Sequence, residues 1–198
     1  MTPQEARTMR EQEAQPRILV TAFRPFAPPG GTMRDVNRSQ EVLEALLAQT
    51  PDAFDARILP VDPRCEVALA RSLDRNPAGV VCMGETSEPG SFDTNVEEIA
   101  YDLPVHAGPG APPRRHEPRW LSSPFSGAFP LRDGMERRDR IGAFWCNRVY
   151  FRALQWCNRF ARPGVFLHLR TGGDLARQVK HLDHVLRAMD AALLGVAR

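Results

Sequence analysis

The 198-residue sequence predicts a single α/β domain, a three-layer α/β/α sandwich around a mostly parallel, twisted sheet. Two observations carry this prediction. Short apolar runs alternate along the chain with segments of helical periodicity, and these runs are apolar at nearly every position rather than at every second one. Fully apolar strands are typical of a parallel sheet covered by helices on both faces. The length and the hydrophobic fraction of 42% suffice for one core.

The first half of the chain supplies three predicted strands and two predicted helices. Each strand is a short apolar run bounded by turn-forming residues, and each helix has one apolar face. In chain order they are strand 17–23, helix 38–48, strand 55–61, helix 65–75 and strand 78–84. The strand–helix–strand order favours parallel pairing with right-handed crossovers.

The second half of the chain adds two strands and two helices. Residues 94–103 predict an edge strand, because half of this run is charged. A helix is predicted from about 146 to 160, a last strand over 164–169 and a long amphipathic helix over 174–194. Asp174, behind two glycines, is the expected N-cap of that last helix.

Two segments lack a periodic pattern. Residues 1–16 are polar, and we expect a disordered N-terminal tail that is neither a signal peptide nor an anchor. Residues 104–140 are rich in Pro, Gly and Arg, and we expect a long mobile loop there. The predicted folded domain is therefore 17–198.

Charge and cysteine content exclude several classes of protein. Lys+Arg total 26 and Asp+Glu total 24, a net charge of +2, which favours neither nucleic acid nor an anionic membrane as a partner. No apolar run reaches the ~20 residues of a membrane span. The four cysteines show no CxxC spacing, so we expect reduced thiols and a cytoplasmic location.

Candidate ligand-binding residues follow three of the predicted strands. In open α/β sheets ligands bind beyond the carboxyl ends of the strands. That rule selects Phe23 and Phe26 after the first strand, Gly84 and Glu85 after the third, and His168 near the end of the last. Taken singly, such phenylalanines are more often core residues, and a histidine that ends a strand is more often a packing or capping residue.

Cys146 is the strongest candidate nucleophile. It begins a predicted helix behind Phe144 and Trp145, and a thiol in the first helical turn experiences the positive end of the helix dipole. We therefore expect a thiolate to be favoured there, with nearby N–H groups able to hold an oxyanion. The alternative is that Cys146 only continues an apolar stripe that includes Val149 and Tyr150.

His181 and His184 are three residues apart on the last predicted helix, off its apolar stripe. With Asp183 they suggest a metal site, but no third ligand of matching spacing is present. A solvated helix face is the better interpretation, so we expect no metal.

Several segments together resemble the pyroglutamyl peptidase I (pyrrolidone-carboxylate peptidase) family of cysteine peptidases. ILVTAFRPF resembles that family's opening strand and phenylalanine loop, and NRSQEVLEAL its first helix. GAFWCNRVYFRAL resembles the nucleophile segment and VFLHL the strand with the catalytic histidine. The resemblance covers most of 17–195 in the family's order and implies a peptidase domain.

The resemblance implies a catalytic triad. Cys146 would be the nucleophile and His168 the general base and then acid, with Glu97 orienting the imidazole. The match at Ile99–Ala100 selects Glu97 over Glu98, and neighbouring residues of a strand point to opposite faces, so only one of the two can face the site.

The resemblance also implies the substrate, a peptide with an N-terminal pyroglutamyl residue. The lactam ring would be clamped by Phe23, Phe26 and Phe144 or Trp145, and backbone groups near Gly84 and Glu85 would pair with its N–H and C=O. No cofactor is expected, and homo-oligomers are frequent in that family. Two alternatives stay open: a divergent amide or lactam hydrolase of altered specificity, and a catalytically idle binding protein.

Overall fold

The computed structural model describes twelve regular elements. It describes residues 16–27, 31–87, 90, 92–103, 105, 119–125, 127, 129–138 and 142–196. In chain order the elements are β1 (Ile18–Phe23), α1 (Arg38–Gln49), β2 (Asp55–Leu59), α2 (Arg64–Leu73), β3 (Gly79–Thr86), β4 (Thr94–Glu97), β5 (Ile99–Tyr101), β6 (Trp120–Ser122), β7 (Met135–Arg138), α3 (Trp145–Phe160), β8 (Gly164–Arg170) and α4 (Leu175–Val196).

Six of the strands form one sheet in the order β2–β1–β3–β8–β4–β7. The first four run parallel, β4 is antiparallel to β8, and β7 is parallel to β4. Helices α1 and α4 pack on one face and α2 and α3 on the other, each with its own apolar cluster. The predicted single-domain α/β/α fold with a mostly parallel sheet is therefore confirmed.

The prediction of an edge strand over 94–103 is wrong. This segment forms two strands, and β4 lies inside the sheet between β8 and β7. Two charged residues of the segment, Glu97 and Glu98, are buried because they have partners: Glu97 lies beside His168, and Glu98 forms an ion pair with Arg137. The second strand, β5, pairs with β6 in a separate two-stranded sheet.

The prediction of a long mobile loop over 104–140 is also wrong in part. The interval contains β6, and it contains β7, which extends the main sheet by pairing with β4 from Thr94↔Met135 to Glu97↔Arg138. These strands are short and polar, and long-range pairing stabilises them in place of a local apolar pattern. Residues 106–118 and the first fifteen residues lie outside the described part of the chain.

Helix α4 begins as predicted, since the Asp174 carboxylate accepts a hydrogen bond of 2.9 Å from the backbone N–H of Arg177. The prediction that His181 lies on a solvated helix face is wrong. That side chain is buried, with ring nitrogens 3.0 Å from the Thr94 hydroxyl and 3.0 Å from the Asp133 carbonyl. No helix within the described residues is long and apolar enough to cross a bilayer.

Candidate active site

Two parallel strands bring Gly84 and His168 together. β3 and β8 pair from Val80↔Gly164 to Thr86↔Arg170, and Gly84 is the register partner of His168 near their carboxyl ends. The alternation of side chains along β8 puts His168 on the same face as Phe166, the face covered by α2 and α3. The His168 ring meets the Phe166 ring edge-on, with centroids 4.7 Å apart. This contact restrains the imidazole, which is largely buried.

Glu97 lies beside the same imidazole. Glu97 lies on β4, which runs antiparallel to β8, and its register partner there is Phe166. Register partners point to the same face of a sheet, so the Glu97 side chain lies on the face that carries Phe166 and His168. Its Oε1 is 3.4 Å from His168 Nδ1, a long hydrogen bond in a buried setting. The next residue, Glu98, points away and accepts a 2.8 Å hydrogen bond from the Gly127 N–H. Of the two candidate carboxylates, the structure therefore brings Glu97 to His168.

Cys146 lies in the first turn of α3, against the end of β3. A Cβ placed on Gly84 would be only 2.9 Å from Cys146 Sγ, so the thiol occupies the space beside the glycine. The next residue, Asn147, holds this turn in position. Its side-chain amide donates to the Tyr101 carbonyl at 2.8 Å and accepts from the Tyr101 N–H at 2.9 Å. The sulfur is therefore fixed next to the strand residue that pairs with His168.

The first turn of α3 has donors available for an anion. Phe144 is the N-cap, and no side-chain hydrogen bond caps the turn within the described residues. The first N–H groups of a helix have no acceptor within the helix itself. Arg148 N–H is the first to bond back, to the Phe144 carbonyl at 3.2 Å, so the preceding N–H groups of this turn, including that of Cys146, have no acceptor in the helix backbone.

The expectation that this helix terminus favours a thiolate is wrong for the free protein. Burial, with a smaller contribution from the nearby charge of Glu85, raises the pKa of the Cys146 thiol to about 12. The backbone N–H of Cys146 acts in the opposite direction but does not offset the burial. The thiol is therefore protonated at neutral pH, and reaction requires a base to remove its proton.

An apolar pocket opens beside the thiol. It has a volume of about 40 Å³, roughly three times what one water molecule needs. Two of the phenyl rings that line it, those of Phe26 and Phe144, contact each other, with centroids 5.8 Å apart at 36°. The residues lining it are Phe23, Phe26, Asn37, Val61, Glu85, Phe144, Trp145 and Cys146. The structure thus collects in one pocket all four predicted aromatic residues, with Glu85 and Cys146.

Glu85 adds a fixed negative charge to the pocket wall. Its carboxylate forms an ion pair with Arg34 and accepts a 3.0 Å hydrogen bond from the Arg38 N–H at the start of α1. The Arg34 guanidinium in turn lies over the Phe26 ring, 5.6 Å from its centroid. These contacts tie the loop after β1 to the end of β3.

Comparisons with known proteins identify the fold. No family model matches the sequence, and no curated protein matches it either. Among solved structures, the pyrrolidone carboxyl peptidase of Thermococcus litoralis superposes with a TM-score of 0.68 at 18% identity, over 93% of this chain and 97% of that one. The enzyme from Thermus thermophilus gives 0.67 at 20% identity, over 86% and 99%. Pyroglutamyl peptidase I from Bacillus amyloliquefaciens gives 0.65 at 16% identity, over 88% and 95%. The chain has the pyroglutamyl peptidase fold.

Within this pyroglutamyl peptidase fold, several residues in the pocket or next to the site are not among the predicted site residues. Asn37, which the sequence places only at a helix start, caps α1 and also lines the pocket. Arg34 and Val61 gave no sequence signal, because their place depends on how two loops meet. Asn95 is the register partner of His168, and its buried Oδ1 has no hydrogen-bond partner among the described residues.

A metal site is not formed by the described residues of this pyroglutamyl peptidase fold. No group of three or more His, Cys, Asp or Glu side chains within them is placed to hold a metal ion. His184 instead bonds the Pro130 carbonyl at 2.8 Å.

Proposed function

We propose that this protein is a cysteine peptidase that removes an N-terminal pyroglutamyl residue from peptides. One observation carries the proposal: the Cys146 sulfur lies between an aromatic pocket and the strand end where His168 is backed by Glu97. The likeness in fold to peptidases of that specificity supports it.

The first half of the reaction transfers the pyroglutamyl group to sulfur. His168 takes the thiol proton as Cys146 Sγ attacks the carbonyl carbon that follows the lactam ring, and a C–S bond forms. The resulting oxyanion is held by N–H groups of the first turn of α3. The intermediate collapses, the C–N bond breaks, and His168 returns the proton to the leaving amine.

The second half regenerates the thiol. His168 removes a proton from a water molecule, the hydroxide attacks the thioester, and the C–S bond breaks with the proton returning to sulfur. In both halves Glu97 accepts from His168 Nδ1, which fixes the imidazole orientation and stabilises its charged form. Because the pKa of free Cys146 is raised to about 12, proton removal by His168 accompanies substrate binding and attack.

Substrate selection follows from the pocket walls. Phe26 and Phe144, whose rings contact each other, form an aromatic wall against which the five-membered ring packs, and backbone groups near Gly84 and Glu85 pair with the lactam. The ring of proline lacks the lactam C=O and would leave a buried donor unpaired, which disfavours it. The chemistry needs a free thiol, and all four cysteines are free, so the proposal includes a reducing, cytoplasmic compartment. A homo-oligomer stays a prediction.

The test is hydrolysis of a pyroglutamyl-arylamide by the reduced protein. A prolyl-arylamide of the same leaving group is the substrate control, and Cys146→Ala is the enzyme control. Turnover of the pyroglutamyl compound alone, lost in Cys146→Ala, is the expected result. No turnover by protein shown to be folded by circular dichroism would contradict the proposal in favour of a changed substrate or an idle binding protein. Turnover that persists in Cys146→Ala would refute the assigned nucleophile.

A further inference from the structure

A second, larger cleft lies beyond β1 and β2, on the side of the sheet covered by α2. Its volume is about 420 Å³, and Arg24, Pro60, Arg64, Val67, Ala68 and Arg71 line it. Arg24 directly follows β1 and Pro60 directly follows β2, while the other four residues come from one face of α2. We call it the arginine groove.

The arginine groove begins at the wall of the pocket beside Cys146. Phe23 and Val61 line the pocket, and their sequence neighbours Arg24 and Pro60 line the groove. The two loops are held together by a 2.9 Å hydrogen bond from the Arg24 N–H to the Leu59 carbonyl. A peptide whose first ring fills the pocket therefore has this groove beside it for the residues that follow.

The residues that line the groove carry a net positive charge. Arg64 is engaged by Asp62 at 2.6 Å, whereas Arg24 and Arg71 have no acidic partner within salt-bridge distance among the described residues. No acidic residue is among those that line the groove. Val67 adds an exposed apolar surface, 55% accessible, against which the stem of a side chain can pack. Two guanidinium groups without a direct acidic partner, Arg24 interacting with Asp62 only at longer range, lie beside an apolar surface and favour a carboxylate on a short aliphatic stem.

We propose that the arginine groove binds an acidic side chain of the substrate peptide, in the first two residues after the pyroglutamyl group. This inference rests on the proposed function and names the class of peptide that the same site prefers. The groove is open to water, and ion pairs there are partly screened, so we expect a selectivity of about 3- to 10-fold in kcat/KM.

The experiment compares matched peptides that differ in one charge. The pairs are pyroglutamyl-Glu-Ala-amide with pyroglutamyl-Gln-Ala-amide, and pyroglutamyl-Ala-Glu-amide with pyroglutamyl-Ala-Gln-amide. Amidation removes the terminal carboxylate as a source of charge, and pyroglutamyl-Gln-Ala with a free carboxylate tests that source separately. We expect the acidic peptide of at least one pair to be cleaved faster. The preference should shrink as salt rises from 20 to 500 mM, because screening weakens the ion pair.

Variants test whether the groove is responsible. In Arg24→Gln and Arg71→Gln the ratio of kcat/KM for acidic over neutral peptide should fall toward one. Arg187→Gln is the matched control: it removes one exposed arginine from α4, on the opposite face of the sheet, and should keep the wild-type ratio. Thermal unfolding of each variant establishes that it is folded. A general loss of activity lowers kcat/KM for both peptides equally and leaves the ratio of acidic over neutral peptide unchanged.

The outcomes separate the two proposals. If the wild-type protein cleaves the pyroglutamyl-arylamide but cleaves acidic and neutral peptides equally, the groove inference is overturned and the proposed function stands. A preference that appears only with the free terminal carboxylate, or that survives both arginine substitutions, also overturns it. If the arylamide is not cleaved, the proposed function fails and the groove inference fails with it.

Discussion

Gly84 and Cys146 share one small space. The thiol sulfur lies where a side chain on Gly84 would begin, 2.9 Å from an ideal Cβ position, and Phe166 approaches that position equally closely. Gly84 is also the register partner of His168, so the residue that admits the sulfur is the one that pairs with the proposed base. The absence of a side chain at this position allows nucleophile and base to approach the same strand end.

Gly84→Ala should therefore displace the sulfur. The added methyl group cannot fit without moving Cys146 or the Phe166 ring, and a shift of ~1 Å at a reacting atom costs on the order of 10²-fold in rate. We expect kcat for a pyroglutamyl-arylamide to fall by about that factor, with a loss of about 1–3 kcal/mol in the free energy of unfolding.

Gly164→Ala is the matched control for that loss of stability. A Cβ there would lie 2.8 Å from Cys157 Sγ, a similar overpacking against a cysteine away from the site. It should lower the melting temperature comparably and leave kcat near the wild-type value. Equal losses of kcat in both variants would show that general destabilisation explains the effect.

Glu97→Gln should lower kcat and leave KM nearly unchanged. The amide preserves the shape of the side chain but removes the charge that stabilises His168 as imidazolium, and we expect a loss of roughly 10²-fold or more. Steady-state kinetics on the pyroglutamyl-arylamide measures it.

Glu98→Gln is the neighbouring control. Glu98 forms an ion pair with Arg137 and accepts a hydrogen bond from the Gly127 N–H, and it does not contact His168. This variant should therefore lose about 1–3 kcal/mol in the free energy of unfolding and retain kcat. The assignment of Glu97 is wrong if Glu98→Gln is the variant that loses kcat while its melting temperature stays unchanged.

Alkylation of Cys146 in the free protein should accelerate with pH. Because burial raises the pKa of this thiol to about 12, the thiolate fraction grows about tenfold per pH unit through the neutral range. Rates of iodoacetamide labelling from pH 6 to 10 should rise without a plateau. The Cys146→Ala variant measures the background labelling of the other three thiols. Those thiols are buried, whereas Cys146 is partly exposed. A plateau below pH 8 would instead mean a preformed thiolate–imidazolium pair.

His181 should make stability depend on pH below neutrality. Burial lowers its pKa in the folded protein, so the unfolded chain takes up a proton first as pH falls. The free energy of unfolding is unaffected above the unfolded pKa of ~6.5 and decreases below it, by up to ~1.4 kcal/mol per pH unit. Urea titrations between pH 7.5 and 5 should show this decrease.

The comparison of His181→Gln with His184→Gln isolates the contribution of His181. His181→Gln should flatten the pH dependence, whereas His184→Gln, at a partly exposed position of the same helix, should retain it. An unchanged slope in His181→Gln would assign the pH dependence to another group.

The sequence by itself determined the fold class and the order of the chemical groups along the chain. Burial on both faces favours strands that are apolar at nearly every position, and β1, β3 and β8 are mostly apolar and are each buried at six consecutive residues. The rule that ligands bind at the carboxyl ends of such strands then selected Phe23, Gly84 and His168. The helix start near Cys146 could also be predicted from neighbouring residues alone, and α3 begins one residue before it.

Only the tertiary structure decided how the second half of the chain completes the site. β4 is polar, and long-range pairing with β8 and β7 places it inside the sheet rather than at the predicted edge. The resemblance had already favoured Glu97 over Glu98, but only this pairing brings its carboxylate to His168. The ion pair between Arg34 and Glu85 joins residues far apart in sequence, and the raised pKa of Cys146 follows from what encloses it. Apolar periodicity is a property of neighbouring residues and is visible in the sequence. Electrostatic partners and burial depend on distances between separate elements, which exist only once the chain has folded.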